Sequence, residues 1–264
     1  MPLALVLCGG ASRGAIEVGF YKAVCELNIE FDFVIGSSIG SINGALICSG
    51  ISPETLEKIW MEMGERKLFK LKWVLWKLFS KKSSLVNKKH VENLINQILP
   101  EIQFEKLNKK LIVVATDLYT GEPVIFAEGN LREAILASCA IPGLFPPRFY
   151  QNRWLIDGSV SANMPIDLAV KFGATECITF PCRCDNLQSK MPMSALQIAL
   201  RALSILIKTQ DDRSILLANS KLKIVAVPPC PGIELGRLDF HQAPQLINFA
   251  YEQSLSFLSG MFSK

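Results

Sequence analysis

Long apolar runs are missing from this chain, although half of its 264 residues are hydrophobic. No stretch approaches the roughly 18 uninterrupted apolar residues of a membrane-spanning helix, so we predict no such helix. The first residues, MPLALVLCGG, are apolar but lack the basic residues that open a signal peptide. We interpret them as a buried strand that ends in a glycine turn. Length and composition fit a single domain over residues 1–264.

Patterns that bind metals or nucleic acids are equally scarce. Cys182 and Cys184 form a C-x-C pair without a matching second pair or nearby histidines, so we predict no metal site. No nucleic-acid-binding motif is recognisable, and we predict no nucleic-acid partner. Without an export signal, the eight cysteines are expected to be reduced thiols in a cytoplasmic protein.

Acidic residues are absent from one segment, residues 66–89, which holds nine lysines and arginines. The rest of the chain carries 19 basic against 24 acidic residues, so the charge asymmetry points to an anionic partner met by one region. At helical spacing, leucines share one side of the segment and lysines another, which is typical of helices that lie on anionic membranes. A core-packed helix with a solvated lysine face is the alternative. The predicted membrane contacts of this insertion or cap are Lys67, Lys70, Trp73, Trp76, Lys77 and Lys81.

Strand and helix signals alternate along the chain from its first residues. Apolar runs at residues 3–8 and 33–35 each end in a glycine turn that leads into a helical pattern, which predicts parallel strands with right-handed crossovers. Ser52 before Pro53 marks a further helix start. Later strand signals lie at residues 111–115, 124–127, 154–156, 177–180 and 223–227, and helical patterns at 91–99, 131–139, 165–172, 193–219 and 244–258. We predict a three-layer α/β fold, with a mostly parallel central sheet and helices on both faces.

The stretch GSSIG, from Gly36 to Gly40, ends the second predicted strand and opens the next helix. It has the G-x-S-x-G form of a tight strand-to-helix turn, which lifts the central Ser38 toward the space above the strand ends. Glycines are needed beside it because a Cβ would collide with neighbouring backbone, and the helix N-terminus favours an oxyanion there. A glycine-flanked helix cap without chemistry gives the same pattern. Ser38 is therefore a candidate nucleophile, and the residues around it must distinguish a catalytic role from a simple helix cap.

The other glycine turn, LCGGASRG, ends the neighbouring strand and faces the same edge of the sheet. Gly9, Gly10 and Ala11 can present backbone N–H groups to a negative oxygen, which is the chemistry of an oxyanion hole. A nucleotide-binding loop is the alternative. Its G-x-G-x-x-G pattern needs glycine where Ala11 stands, and no Gly-Lys-Ser/Thr follows.

A serine nucleophile needs a base, and the chain has only two histidines. His90 lies among lysines. His241 would complete the order Ser, Asp, His of α/β hydrolases, but that fold places several strands before its nucleophile and only 35 residues precede Gly36. Asp157 in WLIDGS is better placed, because a strand delivers it and Gly158 turns the chain at once. Aspartate after a strand is also a common turn former, which is the alternative interpretation.

Together these stretches resemble the patatin-like phospholipase family, in particular its compact bacterial-type members, over nearly the whole chain. The matching stretches are CGGASRGA, GSSIGSINGAL, ATDLYTGEPVIF, LASCAIPGLFPP and LIDGS. The resemblance implies Ser38 as nucleophile and Asp157 as base. The residues it implies for the oxyanion hole and its support are Gly9, Gly10, Ala11, Arg13, Gly36 and Gly40.

The chain departs from the family pattern at two positions. Ala11 replaces the third glycine of the oxyanion loop, which we expect an oxyanion N–H to tolerate if its φ is negative. Ser159 replaces the small residue after Asp-Gly, and its hydroxyl is expected to bond the aspartate. Neither change removes a catalytic group, so the expected effect is on rate.

The residues and the resemblance together imply ester hydrolysis through an acyl-Ser38 intermediate, because an alkoxide leaves more readily than an amine when the acid–base partner is weak. The expected substrate is a lipid ester at an anionic membrane surface, and no cofactor is implied. A soluble carboxylesterase or thioesterase, or a catalytically idle lipid-binding regulatory protein, are the alternatives. The oligomeric state stays open at this stage.

Overall fold

An eight-stranded sheet forms the centre of the fold. The computed structural model describes residues 1–65, 88–182, 195–229 and 240–262. The strands are β1 Leu3–Leu7, β2 Phe33–Ser37, β3 Lys110–Asp117, β4 Pro123–Phe126, β5 Arg148–Tyr150, β6 Arg153–Asp157, β7 Glu176–Thr179 and β8 Lys223–Ala226. Their order is β5-β6-β3-β2-β1-β7-β8, with β4 also paired to β3. The four pairings from β3 through β2, β1 and β7 to β8 are parallel, and those that β4, β5 and β6 make are antiparallel.

Helices cover both faces of this sheet, as predicted. Within the described ranges they are α1 Ala15–Glu26, α2 Ile39–Cys48, α3 Pro53–Glu65, α4 Lys88–Ile98, α5 Leu131–Ser138, α6 Ser159–Ala162, α7 Ile166–Lys171, α8 Ala195–Ala218 and α9 Ala243–Phe262. Three short 3-10 turns lie at Ala11–Gly14, Phe104–Lys106 and Phe240–Gln242. None of the helices in this part of the chain has both the length and the apolar character needed to cross a membrane.

The central strands are apolar because they are buried on both faces, which is typical of parallel strands. Every residue of β1 and of β2 is buried. Helix α1 packs so closely on α9 that a Cβ at Gly19 would lie 2.1 Å from the carbonyl oxygen of Ile247. Helix α2 approaches the sheet at Gly44, over the side chains of Leu7 and Val34. These contacts fix both helices against their neighbours.

Strand β3 brings two distant parts of the chain together along one of its edges. Val114 pairs with Ser37 at the end of β2, and the next residue, Ala115, pairs with Asp157 at the end of β6. Strand β4 occupies the opposite edge, where Val124 pairs with Ala115. Because β2 runs parallel and β6 antiparallel to β3, the carboxyl ends of β2 and β6 meet. Ser38, the residue after Ser37, therefore lies beside Asp157.

The predicted strands and helices that fall on described residues are confirmed, and Ser52 caps α3 by accepting a hydrogen bond from the N–H of Thr55 at 3.3 Å. The sequence analysis missed β5 and α6, which are short. Residues 66–87 lie outside the described residues, and with them the predicted membrane contacts Lys67, Lys70, Trp73, Trp76, Lys77 and Lys81.

Candidate active site

Ser38 occupies a sharp turn between β2 and α2. Its backbone has φ +52° and ψ −124°, in the positive-φ region that few residues other than glycine adopt. A Cβ at Gly36 would lie 2.4 Å from the carbonyl oxygen of Gly40, and a Cβ at Gly40 would lie 2.7 Å from the carbonyl oxygen of Leu7. Such contacts are too short for any larger residue, so both flanking glycines are sterically required. Strain of this kind is typical of functional turns.

The hydroxyl of Ser38 donates a hydrogen bond to the carboxylate of Asp157. The distance from Ser38 Oγ to Asp157 Oδ2 is 2.6 Å, and the two residues are only 4% and 3% exposed. The other carboxylate oxygen, Oδ1, accepts the N–H of Ser159 at 2.8 Å. The backbone of Asp157 is held as well, since its N–H donates to Ala140 and its carbonyl accepts from the Thr116 hydroxyl at 2.8 Å. The carboxylate therefore has a fixed orientation with Oδ2 directed at Ser38.

Two further serines support the turn. The N–H of Ser38 donates to Ser138 Oγ at 2.8 Å, and the Ser138 hydroxyl donates to the Val114 carbonyl at 2.6 Å. The Ser41 hydroxyl donates to the Ser38 carbonyl at 2.6 Å. Sequence reasoning missed both roles. Ser138 lies in the stretch LASCAIPGLFPP, which was one of the matches to the family but carried no predicted contact to Ser38.

The glycine loop after β1 borders this pair, with one change from the predicted oxyanion hole. The Gly9 N–H already donates to the carbonyl of Asn163 at 3.2 Å, so it is engaged within the protein. In the described part of the chain, the N–H groups of Gly10 and Ala11 have no such acceptor. Ala11 has φ +53°, so the negative φ under which we expected alanine to be tolerated here is not met. That conformation costs an L-residue about 1–2 kcal/mol, which the surrounding contacts must offset.

The loop is packed tightly against the turn that carries Asp157. A Cβ at Gly9 would lie 1.9 Å from Ser159 Oγ, and a Cβ at Gly10 would lie 2.8 Å from the Cβ of Cys182. The Ser159 hydroxyl thus lies against the glycine loop. It is the backbone N–H of Ser159 that contacts Asp157, where we had expected the hydroxyl. Arg13 follows in the 3-10 turn, with its Cβ 3.2 Å from the position of a Gly10 Cβ.

His241 does not occupy the base position, because Asp157 contacts Ser38 directly. His241 lies in the 3-10 turn Phe240–Gln242, whose Phe240 ring stacks on Trp60 with 5.9 Å between centroids. The side chain of His90 lies outside the described residues.

A buried polar cluster lies directly below the glycine loop, and sequence reasoning missed it. Potential ligand atoms of Cys8, Glu17 and Cys182 lie within 4.8 Å of one another. In the described residues this is the one such group that could hold a metal ion, but its atoms already hydrogen bond within the protein. Burial raises the pKa of Glu17 to about 8, although hydrogen bonds from Asn43, Cys182 and Cys8 act in the opposite direction. Burial therefore favours the neutral form of this carboxyl group.

A comparison with protein families matches residues 5–170 to the patatin-like phospholipase model. The matched range contains both glycine turns, Ser38 and Asp157, and it is more than half of the chain. The chain belongs to the patatin-like phospholipase family. The family predicted from the sequence is thereby confirmed.

Curated relatives of this patatin-like phospholipase chain include much longer proteins. Neuropathy target esterase sws of Drosophila melanogaster is 29% identical over 178 residues, which is 67% of this chain and 12% of the relative. Patatin-like phospholipase domain-containing protein 7 of Rattus norvegicus is 29% identical over 174 residues, 65% of this chain and 13% of the relative. An uncharacterised NTE family protein of Mycobacterium bovis is 27% identical over 171 residues, 63% of this chain and 28% of the relative. The chain spans less than a third of the length of each.

Solved structures share the patatin-like fold at low sequence identity. VipD from Legionella pneumophila has a TM-score of 0.51 and 13% identity, covering 98% of this chain and 67% of that one. ExoU in its heterodimeric complex with SpcU, from Pseudomonas aeruginosa, has a TM-score of 0.53 and 15% identity, covering 100% of this chain and 52% of that one. These similarities concern the fold alone.

Proposed function

We propose that the chain is a serine lipid acyl hydrolase of phospholipase A or lysophospholipase type, which cleaves fatty acyl esters through an acyl-Ser38 intermediate. The observation that carries the proposal is the 2.6 Å hydrogen bond from Ser38 Oγ to Asp157 Oδ2 at a strained turn. A buried serine bonded to an oriented carboxylate is the arrangement of an activated nucleophile and its base. Membership of the patatin-like phospholipase family supports the lipid ester as substrate.

The acylation step follows from the direction of this hydrogen bond. Ser38 Oγ attacks the carbonyl carbon of the ester while Asp157 Oδ2 accepts the hydroxyl proton. When the tetrahedral intermediate collapses, Asp157 returns that proton to the leaving alcohol oxygen, and the fatty acyl group stays on Ser38. Water then attacks the acyl-enzyme, Asp157 accepts the proton of the water, and Ser38 recovers its hydrogen as the fatty acid leaves.

The negative oxygen of the intermediate needs donors, and the loop after β1 offers them. With the Gly9 N–H engaged by Asn163, the proposed donors are the N–H groups of Gly10 and Ala11. A well-placed donor of this kind contributes about 3–4 kcal/mol to transition-state stabilisation. The N-terminus of α2, which begins at Ile39, adds a positive partial charge beside Ser38.

A small apolar groove borders α2, and we propose that it contacts the first carbons of the acyl chain. It is lined by Leu136, Cys139, Ala140, Phe145, Pro146 and Pro147. Cys139 Sγ lies 3.9 Å from Ser41 Oγ, whose hydroxyl holds the Ser38 carbonyl, so the groove borders the nucleophile turn. Arg148 at its rim is held by Glu92 at 2.5 Å and Glu133 at 2.7 Å, which keeps that side rigid.

We also propose peripheral association with an anionic membrane surface, in the cytoplasm. The basic segment 66–89 supports this, and so does α8, on which five apolar side chains are 52–73% exposed: Ile198, Ile205, Leu206, Leu216 and Leu217. Helix α8 lies next to the candidate site, because Asp211 accepts a hydrogen bond from Asn163 at 2.9 Å. Charge reversal at Lys70, Lys77 and Lys81 should weaken binding to anionic vesicles by about 1 kcal/mol per residue. Unchanged vesicle binding would count against the basic segment as a membrane contact.

The test of the proposed activity is intact-protein mass after incubation with a fluorophosphonate probe. We expect one adduct on the wild type, none on Ser38→Ala, and faster labelling when anionic vesicles are present. Labelling that is indifferent to vesicles would favour a soluble esterase. An absence of labelling under both conditions would overturn the proposed hydrolase and leave a lipid-binding protein.

A further inference from the structure

Glu17 joins the two elements that carry the candidate chemistry. It lies on α1, is fully buried, and belongs to neither glycine turn. Its Oε1 accepts the backbone N–H of Cys8 at 2.7 Å, and its Oε2 accepts Nδ2 of Asn43 at 2.8 Å. Cys8 is the residue before Gly9, where the loop begins, and Asn43 lies on α2, which follows Ser38.

Asn43 extends the connection on the side of the nucleophile helix. Its Nδ2 also donates to the Gly14 carbonyl at 3.0 Å, and its Oδ1 accepts the indole N–H of Trp60 at 2.9 Å. Glu17, Asn43 and Trp60 are all buried, so their hydrogen bonds are made in the interior, where an unsatisfied partner is costly. The carboxyl of Glu17 is therefore held between the loop after β1 and helix α2.

The residues on the loop side of the cluster are also held by close contacts. The N–H of Cys182 donates to Cys8 Sγ at 3.0 Å, and its thiol donates to Glu17 Oε1 at 3.5 Å. Gly10 packs against the Cβ of the same Cys182. A movement of the Glu17 carboxyl would therefore displace Cys8 and the loop that follows it.

The geometry points to Glu17 as a positioning residue, which fixes the glycine loop at the correct place relative to Ser38 through its bonds to Cys8 and Asn43. This inference rests on the proposed hydrolase function. Catalysis of this kind tolerates little displacement, since an error of about 1 Å in the position of a reacting group can cost about 100-fold in rate. Glu17 itself does not contact the substrate and acts through the loop.

The charge of Glu17 should also affect catalysis. Ionisation would place a negative charge directly below the loop that receives the oxyanion. Among the described residues, the titratable groups that face the cluster are the thiols of Cys8 and Cys182 and, from α8, the carboxyl of Asp211. Burial raises the pKa of Cys182 well above its usual value, and the pKa of Cys8 is also raised despite the hydrogen bond with Cys182. Glu17 therefore ionises before either thiol as the pH rises.

The experiment compares hydrolysis of a soluble p-nitrophenyl ester by the wild type and by Glu17→Gln from pH 6 to 9.5, with Ser38→Ala as the background. Both oxygens of a carboxyl group can accept a hydrogen bond even when one of them is protonated, whereas the amide nitrogen of glutamine accepts none, so glutamine cannot serve both Cys8 and Asn43. We expect kcat at pH 7 to fall about tenfold with KM changed less than about twofold, because the loop and not the substrate contact is affected. We expect the wild type to lose kcat as the pH rises through about 8, and the variant to lack this loss. Glu26→Gln, at the exposed end of the same helix, is the matched control and should behave as the wild type.

The outcomes separate this inference from the proposed function. A wild type without Ser38-dependent turnover would overturn the hydrolase and the positioning role with it. An active wild type that Glu17→Gln matches in kcat and in pH profile would overturn the positioning role alone. Should the variant not fold, the wild type decides by itself: constant kcat from pH 7 to 9.5, with circular dichroism showing a folded protein, would contradict the inference.

Discussion

Stability should fall with rising pH because of Glu17, and its replacement by glutamine should remove that part of the pH dependence. Burial raises the pKa of Glu17 to about 8 in the folded protein, against an ordinary value of 4.5. Between these values the folded protein keeps a proton that the unfolded chain has released. The free energy of unfolding therefore decreases as the pH rises through this window, and the contribution of Glu17 is fully present only below the lower value.

The size of the effect on the free energy of unfolding follows from the one proton that the folded protein keeps and the unfolded chain releases. Each pH unit inside the window lowers the free energy of unfolding by about 1.36 kcal/mol. Between pH 5.5 and 7.0 the wild type should therefore lose about 2 kcal/mol relative to Glu17→Gln. This difference depends little on either pKa, provided that one lies below and the other above the interval.

The assay is equilibrium urea unfolding of both proteins at half-unit steps of pH. All other titrating groups are common to the two proteins, so their contributions cancel in the difference. Glu26→Gln on the same helix should follow the wild type. A difference that stays constant across the interval would mean that Glu17 is already ionised in the folded protein, and the reasoning from its burial would be refuted. No catalytic activity is needed for this measurement.

Three further predictions concern the site and its surroundings. Asp157→Asn should lower kcat by roughly 100- to 10,000-fold and abolish the acylation burst in stopped-flow assays, and a retained burst would exclude the dyad. Ser138→Ala leaves the buried N–H of Ser38 without its acceptor, so urea unfolding should show a loss of about 1–3 kcal/mol; an unchanged midpoint would contradict this. Leu206→Asp combined with Leu217→Asp should weaken sedimentation with anionic vesicles while hydrolysis of a soluble ester is retained, and equal sedimentation would remove α8 from the membrane surface.

Local patterns were sufficient to predict the strands, the nucleophile turn and the aspartate. GSSIG and WLIDGS are both short and directly follow an apolar strand, so their positions above the sheet follow from the chain order. Helices such as α1 and α2 were also visible from spacing alone. In each case the residues that determine the structure are neighbours in sequence.

The support of the site could not be predicted, because its partners are far apart in the chain. Ser138 is 100 residues from Ser38, and Asn43 is 26 residues from Glu17. No spacing rule links such positions. In the sequence, Glu17 within AIEVGF is indistinguishable from an ordinary polar residue of a helix. The positive φ of Ala11 is likewise set by its packed surroundings, since alanine itself prefers the opposite sign.

The meeting of β2 and β6 on one edge of β3 has a consequence for how this site can vary. Ser38 and Asp157 are 119 positions apart, yet the distance between them is set by the hydrogen-bond ladder of β3 and not by the length of chain that joins them. Loops between the two can therefore differ in length or charge without moving either group, and the basic segment 66–89 lies in this interval. A slip of β6 by one residue would instead turn Asp157 to the other face of the sheet. Membrane contact and substrate preference are thus free to change while the reacting pair stays constant.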